Sequence, residues 1–521
     1  MALFGIELHE TSPLSFARLV ERLMLHMGFG SVTNVDGPGD SGADIVGKIN
    51  GQTWVVQSKW KKTGKVGSEA VEELIQGMLK YNATYGAVAT NTGVTPAALE
   101  SIKRAGTNLN YQIKVWDSAR LSAAFDSEAC ANRFGVNVPR QYQIDAVQAI
   151  WHDLTQNHRA LLFMATGLGK TYVAAQILER FIATDESIRV LVLAHQVQLV
   201  DQLERALWPG MSKKMPTQLI SSTYKPDYLP GITVSTIQTA VNYVRNGYKP
   251  DFLLIDEAHH AGSDGQYAEI FNLLPDVPRL GLTATPWRSD QFDIANHFGL
   301  ASFKIGIAEG MRLGWLASVD YKLFVDNLDW DFVQTASQNS YSIKDLNRRL
   351  FLPQRDEEIR DRLIETWFDT RSPKGIVFCQ TIEHANKFAE ILKNTTLWRN
   401  AETLTNDLSV SERKSRIAKF RLGHIPLLVA VDMLNEGIDV PDVNIICFLR
   451  TTHSRRIFVQ QLGRGLRTTS DPEKSVKVLD FVSDLRRVAA LMDIRGQLGP
   501  TENLALPHSQ SISFNSQEAE S

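Results

Sequence analysis

Residues 160–171 read ALLFMATGLGKT: an apolar run, a glycine-containing turn, and then Lys-Thr at the start of the helical pattern YVAAQILERF. A strand, a glycine turn and a helix N-terminus in this order form a cradle for phosphate groups. In such a cradle the lysine reaches the β and γ oxygens of a nucleotide, and the threonine hydroxyl ligates Mg²⁺. The predicted nucleotide contacts of this segment are Thr166, Gly167, Gly169, Lys170 and Thr171.

Two series of apolar strands alternate with helical stretches along the chain. The first, between residues 139 and about 325, contains ALLFMA, VLVLA, FLLID and RLGLTA, and the second, between about 374 and 482, contains GIVFC, LLVAV, NIICFL and KVLDF. Such alternation predicts parallel sheets that are covered by helices.

The stretch FLLIDEAHH, residues 252–260, places Asp256 and Glu257 at the carboxyl edge of the first predicted sheet. Nucleotide hydrolysis needs one acid to hold Mg²⁺ and another to position or deprotonate the attacking water. The ordinary alternative, a solvated strand end, is common for an isolated acidic pair. Beside the phosphate cradle upstream and Thr283-Ala-Thr downstream, we favour the catalytic interpretation.

The second series continues with VAVDMLNEGIDVPDV, residues 429–443, and QQLGRGLR, residues 460–467. Arg464 and Arg467 are three residues apart and share one face if the segment is helical. Across a cleft from the cradle, these two side chains would stabilise charge on the γ-phosphate. The alternative is a pair of surface arginines on a solvated helix.

Residues 139 to about 490 resemble a superfamily 2 DEAD/DEAH-box helicase, nearest to the branch of restriction-enzyme motor subunits and UvrB-like proteins. The resemblance rests on nine ordered motifs: RQYQ (140–143), ATGLGKT, VLAHQ with LVDQ (192–202), STIQT (235–239), DEAHH, LTATP, VFCQT (377–381), NEGIDVP and QQLGRGLR. It implies two RecA-like domains with ATP between them and a nucleic-acid strand lying across both.

The resemblance also implies roles for individual residues. The expected nucleotide-site residues beyond the cradle are Arg140 and Gln143 at the adenine, Asp256 at the metal, Glu257 as the base, and Gly437, Asp439, Gln460, Arg464 and Arg467 from the second domain. His259 and Thr283 would couple the nucleotide state to the nucleic-acid groove. The expected contacts with the strand's backbone are His195, Gln196, Thr236 and Thr381.

A hairpin is predicted at residues 43–62, ADIVGKINGQTWVVQSKWKK, because Asn50-Gly51 favours a two-residue turn. That turn sets Asp44 opposite Gln57, and Lys59 lies on the same face. An acid, an amide oxygen and an ammonium can hold Mg²⁺ against a phosphodiester, with Asp44 and Gln57 as metal ligands. The alternative is the exposed polar face of an ordinary hairpin.

Residues 12 to about 125 resemble the Mrr-like group of PD-(D/E)xK restriction endonucleases. The resemblance rests on FARLVERLMLHMGF, GPGDSGAD, VVQSKW and the segment GAVATNTGVTPAALESIKRAG, which is followed by VWD. In that group the acid before x-Lys is often Gln, and such enzymes are active. The resemblance implies Asp44, Gln57 and Lys59 as the site, with Glu21 as a helper acid.

The chain has 521 residues, which is too many for a single core, and a net charge of −3, so a nucleic-acid partner must be held by local basic grooves. Three scattered cysteines fit a reducing compartment, and the sequence shows no signal peptide or bilayer-spanning run, so we expect a cytoplasmic protein without a membrane partner. The expected segments are a nuclease domain (1–135), RecA-like domain 1 (136–325), a helical connector (326–373), RecA-like domain 2 (374–498) and a disordered tail (499–521).

Three functions are compatible with this α/β organisation. The first is an ATP-driven DNA helicase or translocase with a Mg²⁺-dependent endonuclease, in restriction or anti-phage defence, with a possible partner subunit. In the second, a DNA repair or remodelling motor uses its N-terminal domain as a clamp that does not cut. The third, an RNA helicase, is disfavoured because Mrr-like domains act on DNA.

Overall fold

The computed structural model describes residues 2–3, 6–36, 42–127, 139–185, 187–211, 213, 215–220, 231–262, 265–284, 293–324, 353–431, 443–449, 474–481 and 510–514. Its residues group into two compact units. The first comprises residues 1–164, 169–304 and 409–422, and the second comprises residues 165–168, 305–408 and 423–521.

The N-terminal domain is a five-stranded mixed sheet with helices on both faces. Its elements, in chain order, are β1 (Ala2–Leu3), β2 (Ile6–Glu7), α1 (Pro13–His26), β3 (Gly30–Asn34), β4 (Ile45–Ile49), β5 (Gln52–Lys59), α2 (Glu69–Lys80), β6 (Tyr85–Thr90), α3 (Pro96–Leu109), β7 (Gln112–Trp116) and α4 (Ser118–Asp126). Strands β3 to β5 are antiparallel, whereas β5, β6 and β7 run parallel. Alternation along β5 decides which helices cover which face, since Trp54 and Val56 pack with α1 while Val55 packs with α2.

The β4–β5 hairpin has the predicted register. Asn50 and Gly51 both have positive φ, 51° and 78°, as a type I′ turn requires. Ile49 pairs with Gln52 and Ile45 with Val56, and Asp44, just before the first paired residue, donates its backbone N–H to the Val56 carbonyl at 3.2 Å. Two of the predicted nuclease residues, Gln57 and Lys59, contact helix α2.

The first RecA-like sheet has seven strands in the order β10-β11-β9-β12-β13-β8-β14. Its elements are α5 (Gln141–Asn157), β8 (Arg159–Met164), α6 (Lys170–Thr184), β9 (Val190–Ala194), α7 (Val197–Leu207), β10 (Thr217–Ile220), β11 (Ile232–Thr236), α8 (Ile237–Arg245), β12 (Phe252–Ile255), α9 (Gly265–Leu273), β13 (Arg279–Thr283), α10 (Ala295–Phe298) and β14 (Ala301–Ile305), with short 3-10 turns at Trp208–Gly210 and Ala258–His260. Strands β9, β12 and β13 are buried along their whole length. Strands covered on both faces have such continuous apolar runs.

The second RecA-like sheet has the order β17-β18-β16-β19-β20-β15-β21. Its part of the chain contains α11 (Ile307–Arg312), β15 (Ser318–Leu323), α12 (Pro353–Phe368), β16 (Gly375–Cys379), α13 (Ile382–Lys393), β17 (Glu402–Leu404), α14 (Val410–Leu422), β18 (Leu427–Ala430), β19 (Ile445–Leu449), β20 (Ser475–Asp480) and β21 (Gln510–Phe514). All described pairs in this sheet are parallel except β15 with β21.

Two expectations about segment limits need correction. Strand β15 pairs with β20, so the second sheet already includes residues that the sequence pattern placed in the first domain, before residue 325. Residues 510–514 form strand β21 against β15, where a disordered tail was expected. A short alternating stretch, QSISF, suffices for an edge strand because its partner supplies the register. Of the helical connector expected at 326–373, the structure describes α12 and the residues after it.

Helix α14 follows β17 in sequence but belongs to the first unit, where it packs on the N-terminal domain. Its Arg421 guanidinium donates a hydrogen bond to the Thr33 hydroxyl at 3.1 Å. The Tyr81 hydroxyl of the N-terminal domain donates to Ser415 Oγ at 3.2 Å. Ala418 and Leu422 complete the hydrophobic core beneath β4 and α2.

Candidate active sites

The phosphate cradle has the strand–turn–helix geometry that its sequence predicts. Strand β8 ends at Met164, and α6 begins at Lys170. Gly167 and Gly169 have φ of 95° and 90°, a region in which a side chain strains the backbone. A Cβ on Gly169 would lie 2.5 Å from Gln143 Nε2. The positive φ therefore favours glycine at position 169, and a larger residue would also have to displace the Gln143 side chain.

Lys170 lies between the two carboxylates of the predicted metal and base pair. Its Nζ is 3.1 Å from Asp256 Oδ1 and 3.2 Å from Glu257 Oε1. Burial favours the neutral amine, but the two carboxylates outweigh it and hold the pKa of Lys170 above its usual value. The lysine is therefore charged. A bound metal cation could take the place of its ammonium beside Asp256 and Glu257, and the ammonium could then pair with an anionic ligand.

Glu257 has a strained backbone conformation, and its side chain contacts His259, one of the two residues expected to couple the nucleotide state to the nucleic-acid groove. Its φ is 49°, which costs a non-glycine residue about 1 kcal/mol or more. His259 Nδ1 lies 3.3 Å from Glu257 Oε2 and 3.1 Å from Thr283 Oγ1. Because His259 and Thr283 are both buried, this chain of contacts links the end of β12 to the end of β13.

Arg140 and Gln143, the two residues expected at the adenine, are hydrogen-bonded to each other. Gln143 Oε1 accepts a hydrogen bond from the Arg140 backbone N–H at 3.0 Å, and the Arg140 guanidinium donates to the Tyr142 hydroxyl at 3.2 Å. This pair begins helix α5 beside the cradle. Thr171 is the second residue of α6 and is half-buried. The roles of Arg140, Gln143, Thr166 and Thr171 stay predictions.

The residues expected to touch a nucleic-acid strand have local structural partners. The His195 ring stacks on the His260 ring with centroids 3.7 Å apart, and Gln196 immediately precedes α7. The Thr236 and Thr381 hydroxyls each accept a backbone N–H at the start of a helix. The other five nucleotide-site residues, Gly437, Asp439, Gln460, Arg464 and Arg467, lie outside the described residues.

In the N-terminal domain, Asp44 is the residue immediately before strand β4. Its Oδ2 accepts hydrogen bonds from the Ser58 backbone N–H at 2.7 Å and from Ser58 Oγ at 2.9 Å. The side chain is 7% exposed. Burial raises the pKa of Asp44 to about 6, against the stabilising hydrogen bonds from Ser58.

Gln57 and Lys59 share a carboxylate on helix α2 that the sequence interpretation missed. Gln57 Nε2 donates to Glu73 Oε2 at 3.2 Å, and Lys59 Nζ lies 2.5 Å from the same oxygen. Gln57 is 3% exposed. Asp44 and Gln57 are thus buried, which contradicts the alternative of an exposed polar hairpin face. Within α2, Glu73 stands beside the inward-facing Ala70, Leu74 and Gly77, and this position could have singled it out from Glu69 and Glu72.

Glu21, the expected helper acid, does not join this site. It lies on α1, which covers the opposite face of the sheet. Its carboxylate is fully buried and pairs with Arg205 of α7, with Arg205 Nε 2.6 Å from Oε1 and the guanidinium donating to Oε2 at 3.0 Å. The expectation was wrong because the partner of Glu21 comes from a distant part of the chain.

Further charges surround this pair at the contact between α1 and α7. Arg205 also lies 2.8 Å from Asp201, and Arg18 of α1 contacts both Asp201 and Glu204. The Arg22 guanidinium donates to the Met215 carbonyl at 2.8 Å. A network of ion pairs therefore fixes the nuclease-like domain to the first RecA-like domain.

Comparison with known families confirms both resemblances. Residues 8–125 match a restriction endonuclease family, residues 137–288 match the res subunit of type III restriction enzymes, and residues 358–469 match the helicase conserved C-terminal domain. The chain thus contains, in this order, a region similar to restriction endonucleases and two regions similar to helicase domains, the first of them of the restriction-enzyme type. Among the described residues, no helix is long and apolar enough to cross a membrane.

Individual relatives agree with this assignment. The chain is 28% identical to the type I restriction enzyme EcoAI endonuclease subunit of Escherichia coli, over 63% of this chain and 44% of that subunit. It is 27% identical to the DNA 3'-5' translocase XPB2 of Sulfurisphaera tokodaii, over 63% of this chain and 78% of the translocase. The chain thus covers less than half of the EcoAI subunit.

The fold matches that of a solved restriction enzyme. The DNA-bound structure of the ATP-dependent Type ISP restriction-modification enzyme LlaBIII aligns with a TM-score of 0.51 and 19% identity. The alignment covers 91% of this chain and 37% of LlaBIII. This similarity extends over the nuclease-like and RecA-like domains and confirms the α/β fold class.

Proposed function

We propose that this protein is an ATP-driven DNA translocase or helicase whose N-terminal domain cuts DNA in a Mg²⁺-dependent reaction, in restriction or anti-phage defence. The observation that carries the proposal is a pair of charged clusters within one compact unit. One is Lys170 between Asp256 and Glu257, and the other is buried Asp44 beside Gln57 and Lys59.

The residues of the cradle fit a magnesium nucleotide. A charged lysine between two carboxylates, at the start of a helix that follows a glycine with positive φ, supplies a cation and free backbone N–H groups for phosphate oxygens. Bound Mg²⁺ would neutralise charge on those oxygens. Thr171 and Asp256 would hold the ion, Lys170 would turn from the acids to the phosphate, and Glu257 Oε1 would accept a proton from the attacking water.

In this proposal, His259 couples the position of Glu257 in the nucleotide site to the end of strand β13. Its ring touches Glu257 on one side and Thr283 on the other. A change in the position of Glu257 therefore alters the contact at the end of β13. This is the route by which hydrolysis would be coupled to movement along DNA.

The N-terminal residues fit a hydrolytic metal site as well. Carboxylate and amide oxygens suit Mg²⁺, and an adjacent ammonium suits a phosphodiester. Bound Mg²⁺ would polarise the scissile phosphate. Asp44 and Gln57 would orient the ion, while Lys59 would donate a hydrogen bond to the attacking water or to the phosphate.

DNA cleavage and DNA-stimulated ATP hydrolysis by the purified protein test the proposal. With Mg²⁺ and ATP, we expect hydrolysis that rises when DNA is added, and we expect nicked or cut plasmid. Lys170→Ala should abolish hydrolysis. Full turnover in that variant contradicts the motor assignment, whereas hydrolysis without cleavage under any metal or nucleotide condition favours the non-cutting clamp.

A partner subunit that recognises the target sequence is also part of the proposal. The relative from Escherichia coli is by its name one subunit of a type I enzyme. Co-purification of a second protein with the chain from the cells in which it naturally occurs would test this point, and sequence-specific cleavage by the isolated chain would contradict it.

A further inference from the structure

Glu73 is the only acidic side chain of helix α2 that contacts the nuclease residues in the described part of the chain. Its Oε2 receives the Gln57 Nε2–H at 3.2 Å and lies 2.5 Å from Lys59 Nζ. Glu69 and Glu72, on the same helix, are exposed. Glu73 thus differs from the other two glutamates of α2 in its position on the helix, which faces Gln57 and Lys59.

Gln57 supplies an independent sign that a ligand belongs here. The residue is 3% exposed, and its Oε1 has no hydrogen-bond partner among the described residues. A buried amide oxygen without a partner is destabilising, so native structures seldom leave one unsatisfied. Because Glu73 holds the amide nitrogen, the oxygen points away from Glu73 and is free to bind a cation.

The loop before Asp44 brings the two carboxylate-bearing segments together. A Cβ on Gly42 would lie 2.1 Å from the Glu73 carbonyl oxygen, so the backbone two residues before Asp44 touches the helix at Glu73. Gly42 also has a φ of 79°. The glycine therefore permits a close approach that any side chain would prevent.

We propose that Glu73 is the second carboxylate ligand of the nuclease Mg²⁺, with Asp44 and the Gln57 amide oxygen. The inference rests on the proposed nuclease function and deepens it. With a glutamine at position 57, Asp44 alone supplies one negative charge, and Glu73 restores the second that balances a divalent cation. With the ion held by Glu73, Lys59 would be released from this carboxylate and could donate to the phosphate.

Metal binding to the full-length protein, in the absence of nucleotide, tests this assignment. Isothermal titration with Mg²⁺ and Mn²⁺ should show Glu73→Gln binding at least tenfold more weakly than wild type. Glu72→Gln, an exposed neighbour, should bind as wild type does. Glu73→Asp keeps the charge and should retain most of the affinity. DNA-stimulated ATP hydrolysis, unchanged in all three variants, reports that the chain is folded.

The outcomes separate this inference from the proposed function. Metal affinity in Glu73→Gln equal to that of wild type overturns the inference, and continued DNA cleavage by that variant would leave the nuclease proposal standing. Conversely, Glu73-dependent metal binding in a protein that never cuts DNA supports the metal site and refutes the nuclease. A wild-type protein that binds neither ion at this site also overturns the inference.

Discussion

Replacing Arg205 with alanine should release the nuclease-like domain from α7, because the variant leaves a buried charge without its partner. Glu21 is 0% exposed, and Arg205 contacts both of its carboxylate oxygens. Breaking a buried ion pair from one side costs about 3–5 kcal/mol. At about 1.4 kcal/mol per factor of ten, local opening of α1 should become about 10²- to 4 × 10³-fold more frequent.

Hydrogen exchange measured by mass spectrometry gives the required local readout for Pro13–His26 and Val197–Leu207. Arg189→Ala is the matched control, because the Arg189–Asp251 pair is exposed and should be worth less than about 1 kcal/mol. Equal protection losses in the Arg205 and Arg189 variants would refute the reasoning.

Glu21→Gln completes the experiment. Burial already raises the pKa of Glu21, despite Arg205, so neutralising this residue should cost less than removing the arginine. The double variant Glu21→Gln/Arg205→Ala should therefore be better protected than Arg205→Ala alone. Glu21→Gln should also keep the metal affinity of wild type, and a large loss of that affinity would restore Glu21 as a helper acid.

Three other predictions concern the two sites. Gly169→Ala should lower nucleotide affinity at least tenfold in equilibrium binding, because its Cβ would lie 2.5 Å from Gln143 Nε2 at a φ of 90°; unchanged binding would contradict the described cradle. Glu257→Gln should bind nucleotide but lower steady-state ATP hydrolysis by about 10² or more, as expected for loss of a general base, and retained hydrolysis would exclude that role. Mg²⁺ affinity of the nucleotide-free protein should fall about tenfold per pH unit below pH 6, since Asp44 has a pKa of about 6 and must lose its proton to bind metal; a flat profile between pH 5 and 7 would contradict it.

In the absence of metal, ionisation of Asp44 has the opposite effect: it lowers the stability of the fold as the pH rises. The pKa of Asp44 is raised in the folded state relative to 3.8, so the fold prefers the protonated form. Its stabilising contribution is full below about pH 4 and is lost as pH rises through about 6. The free energy of unfolding of the domain should fall by about 3 kcal/mol across that interval. Metal binding reverses this cost by favouring the ionised form.

Local patterns predicted the parts of both sites that depend on neighbouring residues. Asn50-Gly51 was enough to predict the pairing that runs from Ile49–Gln52 to Ile45–Val56, because a two-residue turn determines the register of its strands. Likewise, parallel strands end at one edge of a sheet, and so Lys170 was expected near Asp256 and Glu257.

Contacts between distant segments were beyond such patterns. Nothing around Glu21 reveals that Arg205, 184 positions away, would neutralise it. Glu73 is one of three glutamates in α2, and only the packing of that helix on β5 brings its carboxylate to Gln57 and Lys59. The place of β15 in the second sheet depends on its pairing with β20, more than 150 residues later.

The central claim is that one chain hydrolyses ATP and cuts DNA at separate sites, and Asp44→Asn tests it most directly. Plasmid cleavage and DNA-stimulated ATP hydrolysis should be measured together, with Mg²⁺, for wild type and for this variant. The account predicts that cleavage falls at least a hundredfold while ATP hydrolysis stays within twofold of wild type. Undiminished cleavage by Asp44→Asn would contradict it.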